Sequence, residues 1–485
     1  MSYIGKQPLV TPSSFTAQAN GAISDGDPCV IDSAGTIAAI FENSVTEALG
    51  TQTQVNDSSS EAVSASYDSS ANKVVIFWQD SSNVYGRVVT IDPSDNSLSF
   101  GTEASFAEST AYRYTGHHAV YDDANDKHVY TYSISGAFKA VVATVSGTSL
   151  SFGTAVTISS SNVSFKSTTY DSGSNKVIVA YRDIGNSSYG TCQVGTVSGT
   201  SISFGSKSVF QSGTTGRISA EYDSTNDKTL IAYMDDTNEY GRAVVGTVSG
   251  TSISFGSEAT FWSNSIEQYP STYFDSERGQ VIVFFSNNSY YPTVIAGTIS
   301  GTSVTFGTGV VVATHGANRT SADYDSFAKK GVILWLHEVD TDTEYALVTN
   351  SGSALTVDTP VSAFDYTTQF TAVAYDANAK RVFLAANNSA VSPVDLDARV
   401  LAVPYVEGNL TAENFIGFAD ADYADGATAT VQLSGAVDDA QSGLTAGQQY
   451  FVQADGTLGT TADDPSVIAG VALSATEIAI DTGRD

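Results

Sequence analysis

The sequence predicts an all-β protein built from one repeated unit. A short phrase, an aromatic residue followed by Asp, a polar turn and a β-rich run, occurs seven times, with successive Asp separations of 54, 49, 52, 52, 50 and 51 residues. The seven copies are Tyr67-Asp68, Tyr121-Asp122, Tyr170-Asp171, Tyr222-Asp223, Phe274-Asp275, Tyr324-Asp325 and Tyr375-Asp376. A fixed period of this length, filled with short strands, is typical of radially repeated β-folds. We therefore expect a seven-bladed β-propeller of four-stranded blades.

The aromatic-Asp phrase is interpreted as the hairpin between strands A and B of each blade. In the first copy, alternating Val63-Ser-Ala-Ser-Tyr67 enters the hairpin and Val74-Val-Ile-Phe-Trp78 leaves it. The Asp carboxylate can accept backbone N–H hydrogen bonds and so fold the turn. Six of the seven copies place Lys or Arg five residues after the Asp, which predicts an exposed ion pair worth about 0–1 kcal/mol. We expect these residues to be structural.

A second phrase supplies strands C and D. It reads Gly195-Thr-Val-Ser-Gly-Thr-Ser-Ile-Ser-Phe-Gly205 and recurs nearly unchanged at 246–256 and 297–307, so two β-runs flank a tight Ser-Gly-Thr turn. The seventh blade has no good strand D after residues 398–403. Residues 45–55 parallel the strand D phrase of the first blade, at 98–106. We infer that this N-terminal segment completes the last blade and closes the ring.

Outside the repeats, both ends of the chain contain short β-runs with Asp-Gly turns, which predicts one small β domain with the propeller inserted into it. The predicted boundaries are an N-terminal attachment arm at 1–17, the first part of the small domain at 18–42, the propeller at 43–406 and the second part of the small domain at 407–485. A linear solenoid is the alternative architecture, but it would require capping repeats.

The small domain resembles a known family. The segments Gly-Asp-Pro-Cys-Val-Ile-Asp-Ser-Ala-Gly-Thr-Ile (26–37), Phe-Ile-Gly-Phe-Ala (415–419) and Ser-Gly-Leu-Thr-Ala-Gly-Gln-Gln-Tyr-Phe-Val (442–452) are similar to a β module of bacteriophage tail-fibre and other virion surface proteins. The opening Ser-Tyr-Ile-Gly (2–5) is similar to the N-termini of such proteins, especially in marine phages. The resemblance implies a location on the virion and other virion proteins as partners. It implies no individual site residue.

Charge and motifs exclude several functions. The chain has 21 basic and 52 acidic residues and a net charge of −31, which disfavours nucleic-acid binding, and no apolar run is long enough for membrane insertion. The signatures of serine hydrolases, zinc proteases and phosphate-binding loops are missing, so we do not expect an enzyme. No cofactor is expected, although calcium is possible at Asp340-x-Asp342-x-Glu344 or at Asp420-x-Asp422-x-x-Asp425. The pair His117-His118 is expected to be packed or solvated.

The candidate binding residues lie on loops that differ from blade to blade. The D–A and B–C loops share one face of a propeller, and variable loops on a rigid scaffold concentrate binding residues. Aromatic side chains beside Asp and Asn suit the C–H surfaces and hydroxyl groups of sugars as well as protein contacts. The predicted binding residues are the D–A aromatics Tyr112, Tyr114, Phe165, Trp262, Tyr269, Tyr366 and Phe370.

Three functions are compatible with this sequence. The first is a virion appendage, tail-fibre-like, whose propeller binds a host surface glycan or protein receptor. The second is a purely structural capsid or tail decoration protein. The third is a hydrolase or lyase that cleaves host surface polysaccharide with paired carboxylates. We favour the first, and we expect a homo-oligomer.

Overall fold

Two units of antiparallel strands make up the structure. The computed structural model describes residues 14–80, 82–108, 119–134, 136–339 and 341–483. One unit spans Thr46–Val403, and the other combines the residues up to Val45 with those from Pro404 onward. The unit Thr46–Val403 is slightly shorter at both ends than the propeller predicted at 43–406. In the described part of the chain, no helix is long and apolar enough to cross a membrane.

The larger unit is the all-β seven-bladed propeller expected from the sequence. In each blade, strands A, B and C pair in order, and strand D consists of two short halves that both pair with strand C. Blade 1 contains Glu61–Asp68, Lys73–Gln79, Asn83–Asp92, Ser97–Phe100 and Ala104–Ala107. Blade 2 contains Ala119–Asp122, Lys127–Ile134, Ala137–Ser146, Ser149–Phe152 and Val156–Ser159. Blade 3 contains Val163–Asp171, Lys176–Asp183, Tyr189–Ser198, Ser201–Phe204 and the first part of Ser208–Asp223, with a short helical turn at Ile184–Asn186.

The remaining blades follow the same plan. Blade 4 contains the second part of Ser208–Asp223, then Lys228–Asp235, Tyr240–Ser249, Ser252–Phe255 and Ala259–Ser265. Blade 5 contains Ser271–Asp275, Gln280–Ser286, Pro292–Ser300, Ser303–Phe306 and Val310–Val311. Blade 6 contains Ala317–Asp325, Lys330–His337, Thr343–Asn350, Leu355–Val357 and Val361–Phe364. Blade 7 contains Thr371–Asp376, Arg381–Asn388 and Asp395–Ala402, with Ala48–Leu49 and Thr53–Asn56 as the two halves of strand D.

The ring is closed both at its centre and at its rim. Each strand A contacts strand A of the next blade, and strand A of blade 7 contacts that of blade 1. At the rim, Leu401 pairs with Leu49 and Asp397 with Gln54, so the segment predicted to close the ring supplies the outer strands of blade 7. Because these strands come from the start of the propeller, blade 7 joins its two ends.

The Asp residue of each repeated phrase folds the A–B turn. Asp223 is fully buried, and its Oδ1 accepts hydrogen bonds from the backbone amides of Thr225 and Asn226, each at 2.9 Å. Asp376 repeats this arrangement with the amides of Asn378 and Ala379, at 3.0 and 2.9 Å. The structural role expected for these carboxylates therefore matches the geometry.

The predicted ion pair across this turn is replaced by other contacts. Lys228, five residues after Asp223, donates from Nζ to the backbone oxygen of Asp227 at 2.9 Å, and Lys330 pairs with Asp358 at 3.4 Å. The reason is that each turn Asp directs its carboxylate into the buried amides of the turn. At these two positions the cation consequently binds a turn carbonyl or a more exposed carboxylate.

The tyrosine of the phrase links neighbouring blades. The Tyr222 hydroxyl donates to Asp227 in its own turn at 2.9 Å and accepts from the backbone amide of Gly173 in blade 3 at 3.0 Å. The Tyr67 hydroxyl accepts in the same way from the amide of Asn378, across the junction of blades 7 and 1. Apolar clusters fill the spaces between blades, such as one that joins Ile178 of blade 3 to Ile231 of blade 4. The blades therefore form one continuous packed ring.

The glycine of the second phrase packs against the adjacent blade. A Cβ placed on Gly205 would lie 1.9 Å from the backbone oxygen of Thr251, in the Ser-Gly-Thr turn of blade 4. A Cβ placed on Gly101 would likewise lie 1.8 Å from the backbone oxygen of Thr148 in blade 2. Only glycine permits this approach of one backbone to another. The repeated phrase thus encodes contact between blades as well as the turn between strands C and D.

The smaller unit combines both ends of the described chain. One sheet has the order Ser14–Gln18, Thr428–Gln432, Phe415–Ala419, Pro28–Ile31 and Ile37–Ala39, and a second has the order Val437–Asp438, Ile478–Ile480, Val467–Ala472, Gln449–Val452 and Leu458–Gly459. A two-stranded ribbon pairs Glu42–Val45 with Tyr405–Gly408. The predicted attachment arm at 1–17 falls mostly outside the described residues. Its last part, from Ser14, is a strand of the first sheet because it pairs with Thr428–Gln432.

Candidate functional site

A backbone distortion marks one end of the propeller's central channel. The sixth residue before the turn Asp has a positive φ in four blades: 49° at Ala62, 49° at Phe165, 48° at Arg217 and 53° at Arg319. The register of strand A against strand B shifts at the same places. Non-glycine residues rarely adopt this conformation, and such bulges redirect side chains and cluster at functional sites. The distortion therefore defines a ring of redirected side chains on the face of the D–A loops.

Three predicted binding residues occupy this ring position. Phe165 of blade 3, Tyr269 of blade 5 and Phe370 of blade 7 are each the sixth residue before their turn Asp. The rings of Phe165 and Tyr269 meet with centroids 5.6 Å apart, although blade 4 lies between their blades. Two aromatic residues far apart in the sequence thus form one surface at the channel mouth.

A cavity opens beside this aromatic surface. Its accessible volume is about 50 Å³, and it is lined by residues in or immediately before strand A of blades 1, 5, 6 and 7. Tyr269, Arg319, Gln369 and Phe370 are among its walls. The cavity combines aromatic faces with a guanidinium and an amide, which is the composition of many ligand pockets.

Two arginines at the ring position differ in what they contact. Arg217 donates from a guanidinium nitrogen to the backbone oxygen of Ile266 at 3.1 Å and also contacts the sulfur of Met234. Arg319 is held through its backbone oxygen, which accepts from Thr371 Oγ1 at 2.8 Å. Within the described residues, no carboxylate forms an ion pair with the Arg319 guanidinium. In a chain of net charge −31, this half-buried cation favours a ligand that carries negative charge or hydrogen-bond acceptors.

Carboxylates lie deeper in the channel, two residues before the turn Asp. Burial, followed by the negative charge of Asp323, raises the pKa of Glu221 well above its ordinary value. Burial raises the pKa of Asp323 to about 6, although amide N–H groups of Tyr375 and Tyr324 oppose the shift. Glu221 and Asp323 interact although blade 5 separates their blades, so both face the axis. The channel therefore has arginine side chains at its mouth and the carboxyl groups of Glu221 and Asp323 further in.

Two of the other predicted binding residues, Trp262 and Tyr366, are described and do not line this cavity. Trp262 packs edge-on against Phe285, with ring centroids 5.3 Å apart, between blades 4 and 5. The Tyr366 hydroxyl donates to Asp397 Oδ2 at 3.1 Å, within blade 7. Tyr112 and Tyr114 lie outside the described residues, as do His117 and His118. The predicted aromatic face is thus narrowed, within the described structure, to Phe165, Tyr269 and Phe370.

Arg319 and Gln369 are cavity residues that the aromatic criterion missed. An alignment of the seven phrases would have identified Arg319, because it occupies the column of Phe165, Tyr269 and Phe370. Gln369 immediately precedes Phe370 and is exposed. The signal for this site therefore lies in equal positions of the repeats rather than in one residue type.

The acidic segments proposed for calcium have different surroundings. Asp425 Oδ1 accepts from the amide of Gly21 and Asp422 Oδ1 from the amide of Asp25, each at 2.9 Å. These carboxylates therefore serve the turns of the small unit. In the other segment, Asp340 lies outside the described residues, and Glu344 lies beside His315 and His337 in blade 6, where two imidazoles and a carboxylate can hold a metal.

Comparison with known proteins identifies similar folds only. The chain matches no family model and no curated protein. Among solved structures, it is similar to a chain of the mitotic checkpoint complex, with a TM-score of 0.46, 12% identity and coverage of 72% of this chain and 94% of that one. It is also similar to the Dos1 propeller, with a TM-score of 0.44, 11% identity and coverage of 73% and 94%. For AofleA from Arthrobotrys oligospora, the TM-score is 0.38, the identity 7% and the coverage 73% and 100%.

Proposed function

We propose that this chain is a non-catalytic recognition protein of a bacteriophage virion, tail-fibre-like or another surface appendage, whose propeller binds a host surface glycan or protein receptor. The observation that carries the recognition role is the cavity at the channel mouth, where Tyr269 and Phe370 stand beside the guanidinium of Arg319. The virion setting rests on the sequence resemblance of the small unit. Other virion proteins, and further copies of this chain, are the proposed partners.

The side chains around the cavity suit an acidic group carried by a glycan. Aromatic faces pack against the C–H surfaces of sugar rings, and a guanidinium binds a carboxylate or phosphate group with two parallel hydrogen bonds. The backbone beneath these side chains is rigid, because Thr320 Oγ1 donates to the Tyr269 oxygen at 2.6 Å and Thr371 Oγ1 to the Arg319 oxygen at 2.8 Å. A rigid site loses little conformational entropy when it binds.

The experiment is a binding assay of the full chain, fluorescently labelled, on an array of neutral and acidic bacterial surface polysaccharides. Truncation of a central aromatic anchor typically costs about 2 kcal/mol, equivalent to about 30-fold in affinity. We therefore expect Tyr269→Ala to weaken binding by about 30-fold, and Arg319→Gln to weaken binding to acidic polysaccharides selectively. Phe370 is only 7% exposed and packs in the apolar core of blades 7 and 1, so Phe370→Ala should mainly destabilise the propeller. Tyr290→Ala is the matched control, because Tyr290 is an exposed aromatic that does not line the cavity.

One observation favours the enzyme as a second candidate. A glycan hydrolase needs a carboxylic acid with a raised pKa near a second carboxylate, and Asp323 and Glu221 have raised pKa values and act on each other in the channel. The enzyme candidate would be supported if the wild type released reducing ends or unsaturated sugars and Asp323→Asn did not. The proposal of a non-catalytic recognition protein would then be wrong. Equal binding by the wild type, Tyr269→Ala and Arg319→Gln would show that the cavity is not the binding site.

A further inference from the structure

Blade 6 brings two histidines and a glutamate together from three separate segments. His315 precedes strand A, His337 is the last residue of strand B, and Glu344 lies near the start of strand C. One ligand atom of each residue lies within 4.8 Å of those of the other two. The His315 and His337 rings have centroids 3.7 Å apart, and His315 Nε2 is 3.3 Å from Glu344 Oε2. This cluster is distinct from the cavity at the channel mouth.

The backbone holds the three segments in register. Ala317 pairs with His337 in the A–B ladder, and the amide of Glu338 donates to the oxygen of Gly316 at 3.0 Å. The amide of His337 donates to the oxygen of Asp342 at 2.9 Å, which fixes the B–C loop before Glu344. The three ligands are therefore positioned by strand pairing rather than by a long loop, and a metal would bind with little reorganisation.

In the described structure, His315 Nδ1 and Asp342 Oδ1 are buried and make no hydrogen bond. Buried polar atoms are almost always paired in native proteins, and each exception requires an explanation such as an unseen ion. A metal bound to His315 Nδ1 would satisfy this atom directly. A metal bound to His315 Nε2 would instead place the ring proton on Nδ1. Asp342 offers a carboxylate on the same loop as Glu344.

The ligand types select the metal. Calcium and magnesium prefer oxygen ligands, whereas two imidazoles with one carboxylate are typical of zinc and related transition metals. We propose that His315, His337 and Glu344 bind one Zn²⁺ ion, with a fourth position open to water or to a ligand. The ion would join strands A, B and C of blade 6 at the face of the D–A loops, and would anchor the start of the strand that carries Arg319.

The test is a Zn²⁺ titration of the full chain, stripped with chelator, by calorimetry and by the visible absorption of Co²⁺ in the same site. We expect one ion per chain in the wild type, and a loss of affinity of more than about 100-fold in His315→Ala, His337→Ala and Glu344→Gln, since even outer-shell substitutions cost about 10–100-fold. Glu338→Gln is the matched control, an adjacent carboxylate outside the cluster, and should bind as the wild type does.

Glu344→Gln is nearly isosteric, so it decides the question if the histidine variants do not fold. The proposal is overturned if the wild type binds no Zn²⁺ at micromolar concentrations, which would leave a simple pair between His315 and Glu344. It is equally overturned if binding persists in Glu344→Gln and His315→Ala, or if binding is lost in His117→Ala with His118→Ala instead. Polysaccharide binding is measured separately, so failure of the metal site leaves the proposed function intact.

Discussion

Gly205 and Gly307 occupy the same position of the repeated phrase in blades 3 and 5 but have different neighbours. A Cβ on Gly205 would lie 1.9 Å from the backbone oxygen of Thr251 and 3.0 Å from its carbonyl carbon. A Cβ on Gly307 would meet nothing closer than the oxygen of Ala296, at 3.9 Å. Neither glycine has a positive φ, so alanine can adopt the backbone conformation at both positions. The pair of substitutions therefore isolates the contact between blades.

We expect Gly205→Ala to destabilise the propeller and Gly307→Ala to stabilise it slightly. The contact at Gly205 must open from 1.9 Å to at least 3.0 Å, and the obstacle is backbone, which cannot rotate away as a side chain can. Overpacking of this kind costs about 1–3 kcal/mol. The reduced entropy of the unfolded chain returns only about 0.4–1 kcal/mol, and this gain is the whole effect at Gly307.

Urea unfolding followed by tyrosine and tryptophan fluorescence and by far-ultraviolet circular dichroism measures the difference. Coincident transitions from the two probes would justify a free energy from each midpoint. The midpoint should fall in Gly205→Ala and rise or stay unchanged in Gly307→Ala. Equal midpoints in the two variants would refute the argument that the phrase glycine is required by the neighbouring blade.

Three further predictions concern the turns, the channel and ring closure. Asp223→Ala should cost about 2 kcal/mol in urea unfolding, because the amides of Thr225 and Asn226 lose their acceptor, whereas Asp223→Asn should cost less; equal losses would contradict this role. Asp323 has a folded-state pKa of about 6 against an ordinary value of 3.8, so the folded state binds its proton more tightly. Its contribution therefore lowers stability as pH rises from about 4 to 6, and Asp323→Asn should flatten that part of the melting-temperature profile; an unchanged slope would refute it. Deletion of residues 46–57 should leave an open edge in blade 7 and cause association in size-exclusion chromatography, and a monomer with an unchanged melting temperature would show that these strands do not close the ring.

The candidate site was only partly predictable from the sequence. Phe165, Tyr269 and Phe370 were identified because variable loops concentrate binding residues and aromatic faces suit sugars. Trp262 and Tyr366 satisfied the same criterion but pack within or between blades, and Phe370 lines the cavity from a largely buried position. Arg319 was missed because only aromatic residues were considered, although it shares the repeat position of Phe165, Tyr269 and Phe370. Its importance comes from the bulge that places it beside Tyr269 and Phe370, and a bulge depends on the register of two strands.

The sequence by itself determined the number of blades, the A–B turns and the segment that closes the ring. These features repeat or depend on neighbours in the chain, so periodicity and turn chemistry suffice to encode them. Only the tertiary structure decided which side chains meet. The cation after Asp223 binds turn carbonyls because the carboxylate is already engaged by buried amides, and His315 meets His337 and Glu344 because three segments of blade 6 end together at one face. Such contacts depend on strand register and on the packing of blades, which no local pattern in the chain specifies.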